Sequence, residues 1–239
     1  MPKSLPLPVI LLLFCVSCET TFQFSTLSSP DLILNDRHEF VVENDSLKLT
    51  YNFNGDKGPI HITIQNKMGV PVYIDWQRSA IIVNDKAVPY ATAEVNIAGS
   101  FEGSPSWSNG YKVNSGQLQA TAVLPPTIDF IPPRAIINKN PMFITNGVNN
   151  NIPDTAFKKL NYAVTEGVTV KAKKATFTEA NSPLRFRSFI TYMIGEPGTK
   201  PFAFENNFFV SEVMNTSAGP IEMSVSSGNR GDQYYSIQY

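Results

Sequence analysis

Cysteine is nearly missing from this chain: there are two, Cys15 and Cys18, and both stand before residue 20 of 239. Once a leader is lost and a thiol modified, no disulfide can staple the remainder, so stability must come from a hydrophobic core. A chain of this length buries ~70% of its unfolded surface, which is enough. Histidine is equally scarce, with only His38 and His61. No H-E-x-x-H motif or paired Cys and His spacing offers a zinc site, and G-x-S-x-G is absent. Helical periodicity is almost lacking, so no glycine-rich loop leads into a helix to cradle phosphate. Charge of one sign is lacking too. Nineteen basic residues stand against 20 acidic ones, and all charged residues are 16% of the chain, which argues against nucleic acid as a partner. The longest apolar run, Val9 to Val16, is less than half of the ~20 residues a spanning helix needs.

What is present begins with an address. Lys3 supplies a small positive region, the apolar run follows, and polarity changes abruptly after it, the layout of a secretory leader over residues 1–17. The run ends in Cys15-Val16-Ser17-Cys18-Glu19, which resembles a bacterial lipobox: a small residue directly before a cysteine. Cys15 stands where leucine is common, and Ser17 points to Cys18 as the acylated thiol. Sulfur is nucleophilic enough to take a diacylglyceryl group, and each buried methylene adds ~0.8 kcal/mol of membrane affinity. Two other readings remain: ordinary cleavage leaving a free thiol, and a C-x-x-C redox pair, although that motif belongs at the start of a helix in a folded domain.

Composition favours a folded body, with 42% hydrophobic and 11% aromatic residues. Residues 18–36, rich in Ser, Thr and Leu, read as a flexible tether, and 37–239 as a single elaborated β-sandwich. Leu47, Leu49, Tyr51 and Phe53 alternate with polar residues, as do Ile60, Ile62 and Ile64 with His61, Thr63 and Gln65. Asn54-Gly55-Asp56-Lys57-Gly58 between them is a turn. Further strands are expected at 70–76, 80–83, 118–124, 168–177, 184–194, 208–216 and 234–239. Short strands separated by Gly, Pro and Asn clusters point to an all-β sandwich of antiparallel sheets with little helix. One short helix is expected over 154–160, capped by Asp154.

Two long stretches read as irregular. Residues 97–116 are rich in Gly, Ser and Asn and carry Phe101, Trp107 and Tyr111; residues 138–155 carry six asparagines. Long loops are often functional, and the three aromatics are the candidate ligand contacts because flat exposed rings suit sugars or side chains. The plainer alternative has them plug the end of the sandwich. No catalytic residue, metal ligand or cofactor is assigned. A carboxylate-pair glycosidase needs only two acids ~5 to 9 Å apart, and Asp75, Asp129, Glu196, Glu205 and Glu212 are the acids that could supply them. His61 reads as a solvated strand residue. Val170-Lys171-Ala172-Lys173-Lys174 suggests a basic patch for anionic lipid or nucleic acid, but its alternation with Val170 and Ala172 fits a wet strand face instead. Ile131-Pro132-Pro133-Arg134 reads as a rigid extended crossover.

Several stretches resemble a group of uncharacterised lipoproteins from Bacteroidetes: Phe40 to Leu47, Ile64-Gln65-Asn66-Lys67 leading to Val72-Tyr73-Ile74-Asp75-Trp76, the Ile131 to Arg134 segment, and Asn181 to Arg187. The resemblance implies an immunoglobulin-like antiparallel β-sandwich behind a lipid anchor and brings no activity or site residues. Surface-exported members carry several acids after the lipidated cysteine, whereas here only Glu19 precedes Thr20-Thr21-Phe22-Gln23. The expectation is therefore a noncatalytic envelope lipoprotein, anchored in the outer membrane facing the periplasm, with a protein or glycan partner. A carboxylate-pair enzyme and an assembly or adhesion subunit are the alternatives.

Overall fold

A computed structural model describes residues 20–91, 96–108, 111–123, 127–140, 142–145 and 152–238, with 96–108 and 111–123 described by their backbone. The leader and Cys18 lie outside the described residues. In chain order the strands are β1 Thr21–Ser28, β2 Ile33–Leu34, β3 Phe40–Glu43, β4 Leu47–Asn52, β5 His61–Asn66, β6 Val72–Val83, β7 Lys86–Pro89 and β8 Asn96–Ser108. They continue with β9 Tyr111–Val123, β10 Ile128–Ile131, β11 Ile136–Lys139, β12 Lys158–Thr165, β13 Val168–Thr176, β14 Arg185–Ile194, β15 Phe202–Thr216 and β16 Gln233–Gln238; the helix α1 spans Pro220–Ser227.

Two antiparallel sheets pack face to face. The first runs β10-β6-β14-β15-β1-β16, with β7 on β6 and the β12–β13 hairpin on the far half of β15; the second runs β11-β5-β4-β3-β2. The all-β sandwich expected from the alternation is what forms. Leu47, Leu49 and Tyr51 are buried while Lys48, Thr50 and Asn52 are not, and β5 mirrors this with Ile62 and Ile64 facing in. Leu49 stands opposite Ile64 and Tyr51 opposite Ile62, so one dry face is shared by both strands. The turn between them needs positive φ at Gly58, where a Cβ would also come within 3.2 Å of Ile144 and Tyr234. Between the sheets, the rings of Phe40, Tyr51, Phe53 and Phe186 gather around Phe208 at centroid distances of 5.0 to 5.3 Å.

The Pro132-Pro133 segment carries the chain from β10 in the first sheet to β11 in the second. Asn66, fully buried, holds it there: its side-chain amide donates to the carbonyls of Val70, Ile131 and Pro132. The two strands expected at 70–76 and 80–83 are one strand, β6, with a register shift against β14. Asp75 makes that irregularity tolerable by accepting the backbone N–H groups of Gln77 and Arg78.

Three expectations are corrected. The described part of the 18–36 tether is not free chain: β1 lies inside the first sheet between β15 and β16, with Phe24, Leu27, Gln23 and Ser25 buried. Burying Phe24 and Leu27 is worth ~1.5–3 kcal/mol each, and Gln23 is satisfied by donating to Asn215 Oδ1 at 3.2 Å. The irregular stretch 97–116 is instead most of a hairpin, β8 paired with β9 from Asn96↔Val123 to Ser108↔Tyr111. The helix expected over 154–160 shrinks to a 3-10 turn at Asp154–Ala156 with no side-chain cap, and β12 begins at Lys158. The α-helix among the described residues is α1, where Pro220 opens the first turn and Glu222 accepts the Gly219 N–H at 2.7 Å.

Candidate functional site

The aromatic residues singled out by composition are brought onto one element. Phe101 stands opposite Leu118, Trp107 opposite Lys112 and Tyr111 opposite Ser108 along the β8–β9 ladder. That ladder is a sheet of its own. Each strand has 13 residues, which corresponds to a ribbon of roughly 43 Å. It leaves the body after β7 and returns at β10, both of which pair with β6. The arm is thus rooted at the β6 side of the first sheet, across from the β1–β16 side.

The acids do not converge. Asp129 accepts Trp76 Nε1–H at 2.9 Å and Lys139 Nζ at 2.8 Å. Asp75 is buried against its own turn and lies 3.5 Å from Arg78. Asp75 pairs with Ile128 and Asp129 with Ile74, so the alternation puts the two carboxylates on opposite faces of the sheet. Glu205 is joined to Arg187, and Glu212 to Lys174 at 2.6 Å. Glu196 sits in the exposed turn after β14, where its backbone carbonyl accepts Thr199. His61 bonds Asn140 on the exposed side of β5, and His38 lies 3.9 Å from Asp232. Among the described residues, no three His, Cys, Asp or Glu side chains gather in metal-binding proximity.

Four buried polar side chains, Tyr90, Ser188, Tyr51 and Asn206, form a structural chain. Tyr90 donates to Ser188 at 2.9 Å, and Tyr51 donates to Asn206 at 3.1 Å. Burial pushes the Tyr51 and Tyr90 phenols far above their ordinary range.

A second surface includes the basic segment that the sequence presents as a wet strand face. The hairpin register sets Lys159 opposite Lys173 and Lys158 opposite Lys174. Lys174 is neutralised by Glu212, whereas Lys159, Lys171 and Lys173 are exposed and form no ion pair with any described residue. These three border an open groove of about 980 Å³ together with Thr21, Asn161 and Asn215. The alternation of β13 implied that Lys171 and Lys173 face solvent, and they do. The addition of Lys159 depended on how β12 and β13 pair.

No family model, curated protein or solved structure matches the chain. The fold and these two surfaces therefore carry the functional argument by themselves.

Proposed function

We propose that this chain is a noncatalytic lipid-anchored protein of the cell envelope, attached through Cys18 to the outer membrane on its periplasmic side, and acting as a binding module for a protein or glycan. The observation that carries this reading is the β8–β9 arm: 13 paired rungs that carry Phe101, Trp107 and Tyr111 and, among the described residues, pair with no strand of the body. A two-stranded ribbon is marginal alone in water, so a partner that covers it supplies what the fold does not. Four of the five candidate acids hold a basic or indole partner, which speaks against the carboxylate-pair enzyme.

Mass spectrometry of protein extracted from membranes tests the anchor, with a diacylglyceryl group on Cys18 as the expected result and an unmodified end as the contrary one. Capture of envelope proteins and glycans on the wild-type chain and on Trp107→Ala tests the arm. Selective loss of a captured partner in the variant is expected; identical capture by both counts against the arm.

The assembly reading has an observation of its own. The outer edge of each strand of the β8–β9 ladder has no strand neighbour among the described residues, which is the geometry that strand addition uses. Cross-linking that joins two copies through residues 96–123 would favour it.

A further inference from the structure

The start of β1 and the lysines of β12–β13 occupy one end of the first sheet. Phe22 and Ala172 both stand opposite Thr216, on either side of β15. Thr21 and Lys171 lie one residue beyond them, flanking Ser217, and all three border the groove. Two strand spacings put Thr21 and Lys171 roughly 10 Å apart.

Cys18 precedes Thr21 by three residues, and three residues span at most about 11 Å even when fully extended. With β1 locked into the sheet, an acyl chain on Cys18 would hold this end of the body at the headgroup layer. Lys159 and Lys173 are direct cross-strand neighbours on one face, with Lys171 next along it and no carboxylate among them. Like charges placed so weaken a strand pair; a layer of anions beside them reverses the sign.

We propose that Lys159, Lys171 and Lys173 form a docking surface for the anionic phospholipid headgroups of the membrane that carries the anchor, and so fix the orientation of the body on it. This rests on the acylated Cys18 proposed above. The charge on the groove rim matches phosphate, and docking would bring the ammonium groups within the about 8 Å over which the layer's field decays at physiological salt. Each lysine in that layer favours the docked state about fivefold, the equivalent of about 1 kcal/mol, so the three together favour it on the order of a hundredfold.

The test uses full protein extracted from membranes and reconstituted on vesicles of phosphatidylcholine alone or of phosphatidylcholine with phosphatidylglycerol. An amine-reactive reagent is applied and labelling is read lysine by lysine by mass spectrometry. Lys200, exposed before β15 and thus at the opposite end of that strand, is the internal control. Protection of Lys159, Lys171 and Lys173 on the anionic vesicles only, lost at high salt and with Lys200 unchanged, is the expected result. Equal labelling of the three on both vesicles overturns the docking surface, and leaves the anchor standing if Cys18 is acylated. If Cys18 carries no acyl group, sedimentation with anionic but not neutral vesicles, abolished in a Lys159→Gln, Lys171→Gln, Lys173→Gln variant of unchanged thermal stability, supports the surface independently of the anchor. Failure to sediment in that case overturns it.

Discussion

Tyr51 on β4 and Ser188 on β14 join the two sheets through their hydroxyl oxygens, 3.1 Å apart in the core. Because Tyr51 donates to Asn206 and Tyr90 donates to Ser188, the remaining proton is that of Ser188, given to Tyr51. The bonds run in one direction, from Tyr90 through Ser188 and Tyr51 to Asn206, and the Ser188 and Tyr51 hydroxyls each donate once and accept once. Replacing Tyr51 by Phe removes the donor to Asn206 and the acceptor for Ser188 without emptying the ring's site. A loss of about 1–3 kcal/mol is expected, measured by urea unfolding, with the midpoint shifted and the slope unchanged.

Burial raises the phenol pKa of Tyr51, Tyr90 and Tyr234 in the folded protein. Below the unfolded value of about 10 the associated stability is fully present. Above it the unfolded chain releases protons that the folded one keeps, so stability falls as pH rises toward the folded values. Unfolding free energy should therefore drop steeply above about pH 10, and the Tyr51→Phe variant should show a shallower alkaline slope. An alkaline limb identical in both proteins would contradict this.

Glu39 behaves oppositely. Burial opposes its ionisation, but side-chain donors from Asn35 at 2.8 Å and Asn52 at 3.0 Å, together with Arg37, hold its pKa below the ordinary value. A lowered pKa means stability that is present above the unfolded value and lost as pH falls through the folded one. Glu39→Gln turns an amide donor toward one of those asparagines. It should cost about 1 kcal/mol at neutral pH and remove part of the acid dependence, seen by comparing thermal unfolding of both proteins at neutral and acid pH.

Phe24 packs with Met214, Ala172 and Met223 in a small second core under α1. Phe24→Ala should destabilise the fold by about 3–5 kcal/mol, whereas a residue in a flexible tether would cost nothing. Circular dichroism during thermal unfolding decides between them. Removal of residues 19–28 should abolish cooperative unfolding, since β15 and β16 would lose the strand between them.

Much of the sandwich was legible because alternation is visible wherever one face is wet. Leu47 to Asn52 and His61 to Asn66 show their buried sides in their own residue types. β1 was obscured because Gln23 and Ser25 are polar yet buried, and Gln23 is satisfied by Asn215, 192 residues away. The β8–β9 hairpin carried a signal that the Gly and Ser composition masked: the two residues between paired Ser108 and Tyr111 are Asn109-Gly110, the dipeptide most suited to a two-residue reversal. Of the candidate site, the sequence placed Phe101, Trp107 and Tyr111 near one another along the chain, and the ladder put them on one arm. The lysine surface was half visible, as Lys171 and Lys173.

By itself, then, the amino-acid order determined that the chain builds its core from strands and which side of many of them is dry, since the period of two is a local property of the backbone. Only the tertiary structure decided that β1 lies inside a sheet, that Lys159 faces Lys173, and that the candidate acids stand apart. Those outcomes depend on which strands pair and in what register, and pairing is settled by contacts between residues far apart in the chain, where no local pattern reaches.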